Sequence, residues 1–308
     1  MQADRDPRTL TAFAVAVVIG GLNFVAVKFS NEELDPLSGA AIRFTAAALL
    51  LFLIVAVWRY PLPRGRAAVG AALYGLLGFG VSYAFLYYGI KGLGAGVNSA
   101  FVAATPLVTL LLAAAQGQER LTARGLFGGL LAVAGITILS LRVLDADLEI
   151  KYVLAALAGV VSIAESGVIV KAFPRAHPMS TNAVGMAAGS IFLIAVAFLF
   201  SASWELPTTA KTWGALAYLV LVGSIGLFWL FLYVIARWTA SATSYVVTLM
   251  PVVAISVSAL VADEPLTPEL VVGAAVVLAG VYVGALSGRR APSVPSSEPV
   301  PEATPASS

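Results

Sequence analysis

The residues able to do chemistry in this chain are few, and apolar stretches surround them. Asn23, Ser82, Asn98, Ser99, Ser166 and Ser244 each fall inside a long hydrophobic run, as does one acid, Glu165. Phe79, Tyr83 and Trp229 add broad aromatic faces to the same runs. A histidine-rich metal site or a cysteine nucleophile is excluded, because the chain has one histidine (His177) and no cysteine. No Gly-x-x-x-x-Gly-Lys-Ser/Thr sequence is present, so the chain carries no ATPase domain of that type. The remaining chemistry is non-covalent: neutral hydrogen bonding, aromatic contact and one carboxylate. Polar groups in hydrocarbon are expensive unless they are paired or used. The expectation is a protein that is not an enzyme, needs no cofactor or metal, and handles a small molecule.

The elements that position these residues follow from composition. The chain of 308 residues is 60% hydrophobic and 11% charged, with mean hydropathy +0.94, which places it in a bilayer rather than in water. Its net charge of +2 gives no argument for nucleic acid. Ten apolar stretches, each near the ~20 residues that cross a bilayer, lie near 10–29, 37–58, 67–89, 95–115, 124–141, 152–171, 180–200, 212–236, 240–262 and 268–287. The fold class is therefore an all-α integral membrane protein of ten transmembrane helices. Residues 1–9 form a short charged segment, and 289–308, rich in Pro, Ser and Ala, read as a disordered tail. With the amino terminus inside, 12 Lys and Arg residues fall on the cytoplasmic side against 5 outside. Both termini are expected in the cytoplasm.

Residues 95–139 recur at 240–284, 145 positions later, with 12 identities in 45 positions. Ala, Val and Leu matches are cheap in such a chain. The informative ones are Pro106/Pro251, Glu119/Glu264 with the Leu-Thr that follows, Gly128/Gly273 and Gly135/Gly280. The repeats are 10–141 and 152–287, of five spans each. Five is odd, so the second repeat enters the membrane from the opposite side. Inverted repeats are the sequence signature of carriers that work by alternating access. Pro106 and Pro251 deprive the carbonyls of Val102 and Val247 of their usual donors, which predicts bends in spans four and nine and a role in gating.

Gly21-Leu22-Asn23-Phe24-Val25-Ala26-Val27-Lys28, Pro36 with Ala41-Ile42-Arg43-Phe44, and the two Pro and Glu-x-Leu-Thr hairpins together resemble the drug/metabolite transporter superfamily. The resemblance is to its ten-span EamA-type branch, and the pattern is closest to YddG-type amino-acid exporters. It covers the chain to about Gly288. It implies two inverted five-helix repeats around a central cavity and export of amino acids or related metabolites across a bacterial inner membrane. A multidrug or nucleotide-sugar-type carrier, a membrane enzyme and a scaffold are the alternatives. Ala164-Glu165-Ser166 stands where the first repeat has Leu22-Asn23, so the two halves are not chemically alike.

Each candidate residue has a plainer role beside the functional one. Asn23 fits substrate contact or an interhelical hydrogen bond. Arg43, deep in span two, fits snorkelling, a fixed structural partner or an anion. Glu165 fits proton coupling, ammonium binding or a fixed partner near the inner boundary. Phe79 and Tyr83 share one helical face and fit helix packing or a cavity wall, as does Trp229. Asn23, Ser82, Asn98, Ser99 and Ser244 supply neutral dipoles suited to loose binding of a zwitterion, and Phe79, Tyr83 and Trp229 suit large uncharged side chains.

Overall fold

In a computed structural model, which describes residues 6–89, 101–140, 149–200, 203–261 and 268–286, the described residues form ten helices and no strand. Helices α1 (Pro7–Ser30) and α2 (Pro36–Val57) open the first repeat. Both start on an Asp whose carboxylate accepts from first-turn amides, Asp6 from Arg8 and Asp35 from Leu37 and Ser38, with proline at the first helical position. Helix α3 (Arg66–Gly89) follows, then α4 (Thr105–Ala115) and α5 (Ala123–Ser140). The second repeat comprises α6 (Ile150–Ala172), α7 (Pro178–Leu199), α8 (Ala210–Ile235), α9 (Ala240–Val261) and α10 (Pro268–Val281, continued by a π-helical turn at Tyr282–Leu286). Six of these are long and apolar enough to cross a membrane by themselves: α1, α2, α3, α6, α7 and α8. Asn98, Ser99, Glu264 and the tail lie outside the described residues.

Helix packing repeats under exchange of the two halves. Three pairings join a helix to its own counterpart: α2 with α7, α4 with α9, and α5 with α10. The others come in reciprocal couples. Helix α1 lies against α8 and α9, while α6 lies against α3 and α4; α3 packs on α7 as α8 packs, more lightly, on α2. Two contacts fall on repeat-equivalent positions. Thr248 donates its hydroxyl to the carbonyl of Ala103, 145 positions away (3.4 Å). Helices α5 and α10 cross where Gly128 meets Gly280 and Gly135 meets Gly273. A Cβ on either Gly128 or Gly135 would lie 2.8 Å or less from backbone of α10, so these repeated glycines serve close helix approach in lipid.

The two prolines behave differently. Pro251 lies inside the continuous helix α9. Pro106 sits in the first turn of α4, which begins afresh after a break at residues 103–104. The carbonyl of Val102, which proline leaves without an amide donor, accepts instead from the Thr105 hydroxyl at 2.5 Å. The repeat-equivalent of Thr105 is Met250, which has no such donor. The same proline thus starts a helix in one repeat and rides within one in the other.

Candidate functional site: paired π turns and their polar partners

Helix α3 widens into a π-helical turn at Leu76–Val81, and α8 does so at Leu221–Gly226, again displaced by 145 residues. A π turn replaces i→i+4 bonds by longer ones and leaves a carbonyl without its amide partner. In α3 the Ser82 amide bonds back to Leu77, so the Gly78 carbonyl is released; in α8 the Leu227 amide bonds to Val222 and Ser224, and the Gly223 carbonyl is released. Such turns occur often at functional sites. The Leu-x-Gly shared by Leu76–Gly78 and Leu221–Gly223 was the available sequence signal, lying upstream of the more obvious repeat.

The two carbonyls find different donors. Gly78 accepts from the hydroxyl of Ser82 on its own helix at 2.8 Å. The position equivalent to Ser82 is Leu227, which has nothing to donate. Gly223 instead accepts from two first-repeat side chains, the Asn23 amide at 3.1 Å and Arg43 Nη2 at 2.9 Å. Arg43 also donates through Nε to the Ser224 hydroxyl at 2.8 Å. This guanidinium is 3% exposed, and among the described residues no carboxylate pairs with it. Of the roles open to Arg43, snorkelling is ruled out by its burial. Asn23 keeps its side-chain oxygen buried and without a donor.

Counted from the prolines that begin α2 and α7, Asn23 and Glu165 hold the same position in their repeats. Ser166, next to Glu165, abuts Gly78 much as Asn23 abuts Gly223, though its hydroxyl donates to the carbonyl of Ile163 on its own helix. Both carboxylate oxygens of half-buried Glu165 accept from the Gln116 amide at the end of α4, at 2.8 and 2.9 Å. Phe79 is 1% exposed and meets Phe44, Tyr74 and Phe228, with ring centroids 4.5–5.2 Å apart. Tyr83 packs edge-on against Phe44 at 5.0 Å. Ser244 is buried and donates to Ser241 one turn earlier. Trp229 is 37% exposed, 6.0 Å from Tyr233. The structure thus brings Asn23, Phe79, Ser82, Tyr83 and Ser166 around the two π turns, and holds Glu165 by a contact at the end of α4.

Ten apolar helices in two inverted sets of five, with polar side chains meeting broken helical turns, define a multi-pass membrane transport protein. The chain belongs to the EamA-like transporter family, which it matches over residues 8–141 and again over 150–285. Among its relatives are proteins of Salmonella typhimurium and Escherichia coli, each named a probable amino-acid metabolite efflux pump. They are 27% and 28% identical over 89% and 87% of this chain and 94% and 92% of their own lengths. A protein of Archaeoglobus fulgidus, named an uncharacterized transporter, is 27% identical over 88% of this chain and 96% of its own. One solved crystal structure superposes with a TM-score of 0.77 at 18% identity, over 92% of this chain and 98% of that one. At that identity the likeness is one of fold.

Proposed function

We propose that this transporter exports uncharged amino acids or closely related metabolites from the bacterial cytoplasm by alternating access, with both termini cytoplasmic and the chain in the inner membrane. The observation that carries the reading is the buried, donor-less oxygen of Asn23 beside the π turn of α8. A buried acceptor without a partner costs about 1–3 kcal/mol, and an ammonium arriving with the cargo supplies the missing donor. Half-buried Tyr83 offers an aromatic face to a side chain, with Phe79 packed behind it in the same cluster, and Ser82, Ser166 and Ser244 offer hydroxyl oxygens as acceptors. Glu165, and Asn98 and Ser99 outside the described residues, complete the proposed set with Trp229, while Pro106 and Pro251 serve as hinges of α4 and α9. The names of the enteric relatives support an amino-acid cargo. Neutral dipoles hold a zwitterion loosely, at roughly millimolar affinity or ~4 kcal/mol, which suits a cargo that must also leave.

The test is counterflow in proteoliposomes loaded with one uncharged amino acid, following uptake of the labelled species across a panel that includes the matching 2-hydroxy acid. The expected result is transient accumulation of amino acids, weaker for the hydroxy acid, and reduced for Asn23→Ala. Absence of counterflow for every amino acid in folded protein would overturn the cargo assignment.

A further inference from the structure

The side-chain contacts between helices do not follow the sequence repeats. Helices α1, α2, α8 and α9 form one group, in which Asn23 of α1 and Arg43 of α2 bind the α8 turn and the Tyr218 hydroxyl of α8 donates to the carbonyl of Ile19 (3.1 Å). At the face opposite the amino terminus, Lys211 donates to Glu32 (2.6 Å), and Glu33 accepts from the backbone of Thr208 (2.7 Å) and Thr209 (3.3 Å). Gly20 and Gly21 of α1 receive Met250 and Val253 of α9. Helices α3, α4, α6 and α7 form the reciprocal group. Gln116 and Gln118 donate from the end of α4 to Glu165 and to the carbonyl of Val168 on α6. Gly75 and Gly80 of α3 meet Gly185, Gly189 and Phe192 of α7, and Gly159 of α6 meets Leu86 of α3.

Few polar side-chain contacts cross between the two groups among the described residues. One is the mid-membrane bond of Thr248 to Ala103. The others lie at the face that carries the amino terminus. Glu119, in the turn after α4, accepts from the amide of Ser241 (3.2 Å) and from its hydroxyl, capping the first turn of α9. Lys171, at the end of α6, donates to the last carbonyl of α8, that of Ile235 (3.2 Å), and to the carbonyl of Trp238 in the turn that follows. Elsewhere the groups meet through apolar side chains, chiefly Ala40, Ala41, Phe44, Ala47 and Leu51 of α2 against Ala183, Met186 and Leu193 of α7. Apolar helix contacts in lipid can slide without unpairing polar groups.

We propose that the moving parts of this transporter are these two mixed bodies, each built from both repeats, and that the Glu119–Ser241 and Lys171–Trp238 contacts are the latch that closes the amino-terminal face. The inference rests on the alternating-access reading and adds its moving parts and its gate. The latch is one-sided in chemistry. The residue at the position of Lys171 in the first repeat is Phe29, and the one at the position of Ser241 is Gly96, so the far face has no side-chain donor at either place. The resting protein is accordingly held closed at the amino-terminal face.

The absence of native cysteine makes the test direct. Glu119→Cys with Ser241→Cys links the two bodies across the latch, whereas Glu32→Cys with Lys211→Cys links helices within one body. Bridging the first pair with a short thiol crosslinker is expected to lower counterflow at least tenfold, and bridging the second to leave it within about twofold. Equal transport by the latch-bridged protein, or arrest by the Glu32–Lys211 bridge, would overturn the body assignment. A second measurement needs no transported cargo and so stands apart from the amino-acid assignment. Maleimide labelling of Ser244→Cys in purified protein is expected to speed up several-fold when Lys171→Gln is added. An unchanged labelling rate would overturn the latch.

Discussion

The π turns of α3 and α8 occupy equivalent places in the two repeats and are stabilised in opposite ways. In α3 the released carbonyl of Gly78 is satisfied by Ser82 of the same helix, and the turn leans on α7 through bare glycine backbone. In α8 the released carbonyl of Gly223 depends on Asn23 and Arg43, which come from two helices of the other repeat. Phe79 and Ser224 are the matching residues of the two turns, one buried in an aromatic cluster and the other bonded to a guanidinium. Where Arg43 reaches across from α2, the corresponding residue of α7 is Gly185, whose place is against Gly75. One turn is therefore fastened by polar side chains and the other by close approach. Duplication supplied one backbone feature twice, and divergence of a few side chains gave each copy its own means of support.

The largest effect that would break this comparison is steric. A Cβ on Gly75 would lie 1.8 Å from the carbonyl oxygen of Gly185, with backbone rather than a flexible side chain in the way. Gly75→Val is expected to cost about 3 kcal/mol or more and to lower the yield of monodisperse protein, read by thermal unfolding in detergent. Gly214, with nothing within 4 Å of its would-be Cβ, is the control: Gly214→Ala should leave the unfolding temperature unchanged or slightly raised.

Next in size is Arg43→Met, which removes two charge-assisted bonds at the α8 turn. A loss of about 2–3 kcal/mol is expected, while Asn23→Ala, which leaves Arg43 on the same carbonyl and also removes the unpartnered side-chain oxygen, should cost about 1 kcal/mol or less. Because both donors share one acceptor, the two changes together should depart from additivity by 0.5 kcal/mol or more. Strict additivity would show that the carbonyl of Gly223 does not join them.

A subtler exchange tests the account of Ser82 and Leu227. Leu227→Ser gives the α8 turn the internal donor that α3 already has. It removes buried apolar contacts, so it destabilises the wild type, but it should cost about 1 kcal/mol less in the Arg43→Met background, where the carbonyl of Gly223 has lost one of its two donors. Equal costs in the two backgrounds would argue against donor supply as the difference between the turns.

The smallest expected effect lies at the face opposite the amino terminus. Hydrogen bonds from the backbone of Thr208, chief among several from Thr208 and Thr209, hold the Glu33 pKa down, from 4.5 to about 2. A depressed carboxylate pKa means the tie is fully present above about pH 4.5 and is lost as pH falls through 2. Carbon-detected titration of labelled Glu33 should give a midpoint near 2, moving up towards 4.5 on deletion of Thr208–Thr209. A midpoint near 4.5 in the intact protein would show that this end of α8 is not held to the α1–α2 turn.

Much of the architecture was legible without coordinates because bilayer-length apolar runs and punctuating prolines act locally. The ten spans, the starts of α2 and α7 within two residues of Pro36 and Pro178, and the oddness of the five-span repeat follow from residues read in order. The repeat of Glu-x-Leu-Thr was equally plain, and the structure adds what Glu119 is for: it caps a helix of the other repeat. Less legible were the π turns, since Leu76–Gly80 reads as an ordinary glycine-bearing apolar helix and the extra residue per turn is stabilised by neighbours.

The sequence by itself determined the solvent, the number of helices, the inverted duplication and the short set of polar residues that a bilayer would make costly. Those depend on length, hydropathy and chain order, which the linear chain contains. Only the tertiary structure decided which polar groups meet. It put Arg43 on the carbonyl of Gly223 some 180 residues away, gave Glu165 to Gln116, enclosed Phe79 in aromatic rings and left the Asn23 oxygen alone. The physical reason is that in lipid every helix surface is apolar, so hydrophobic patterning does not choose partners. Partners are chosen by the few glycines that admit close approach and the few donors that must find an acceptor, and those pairings exist only once the helices are side by side.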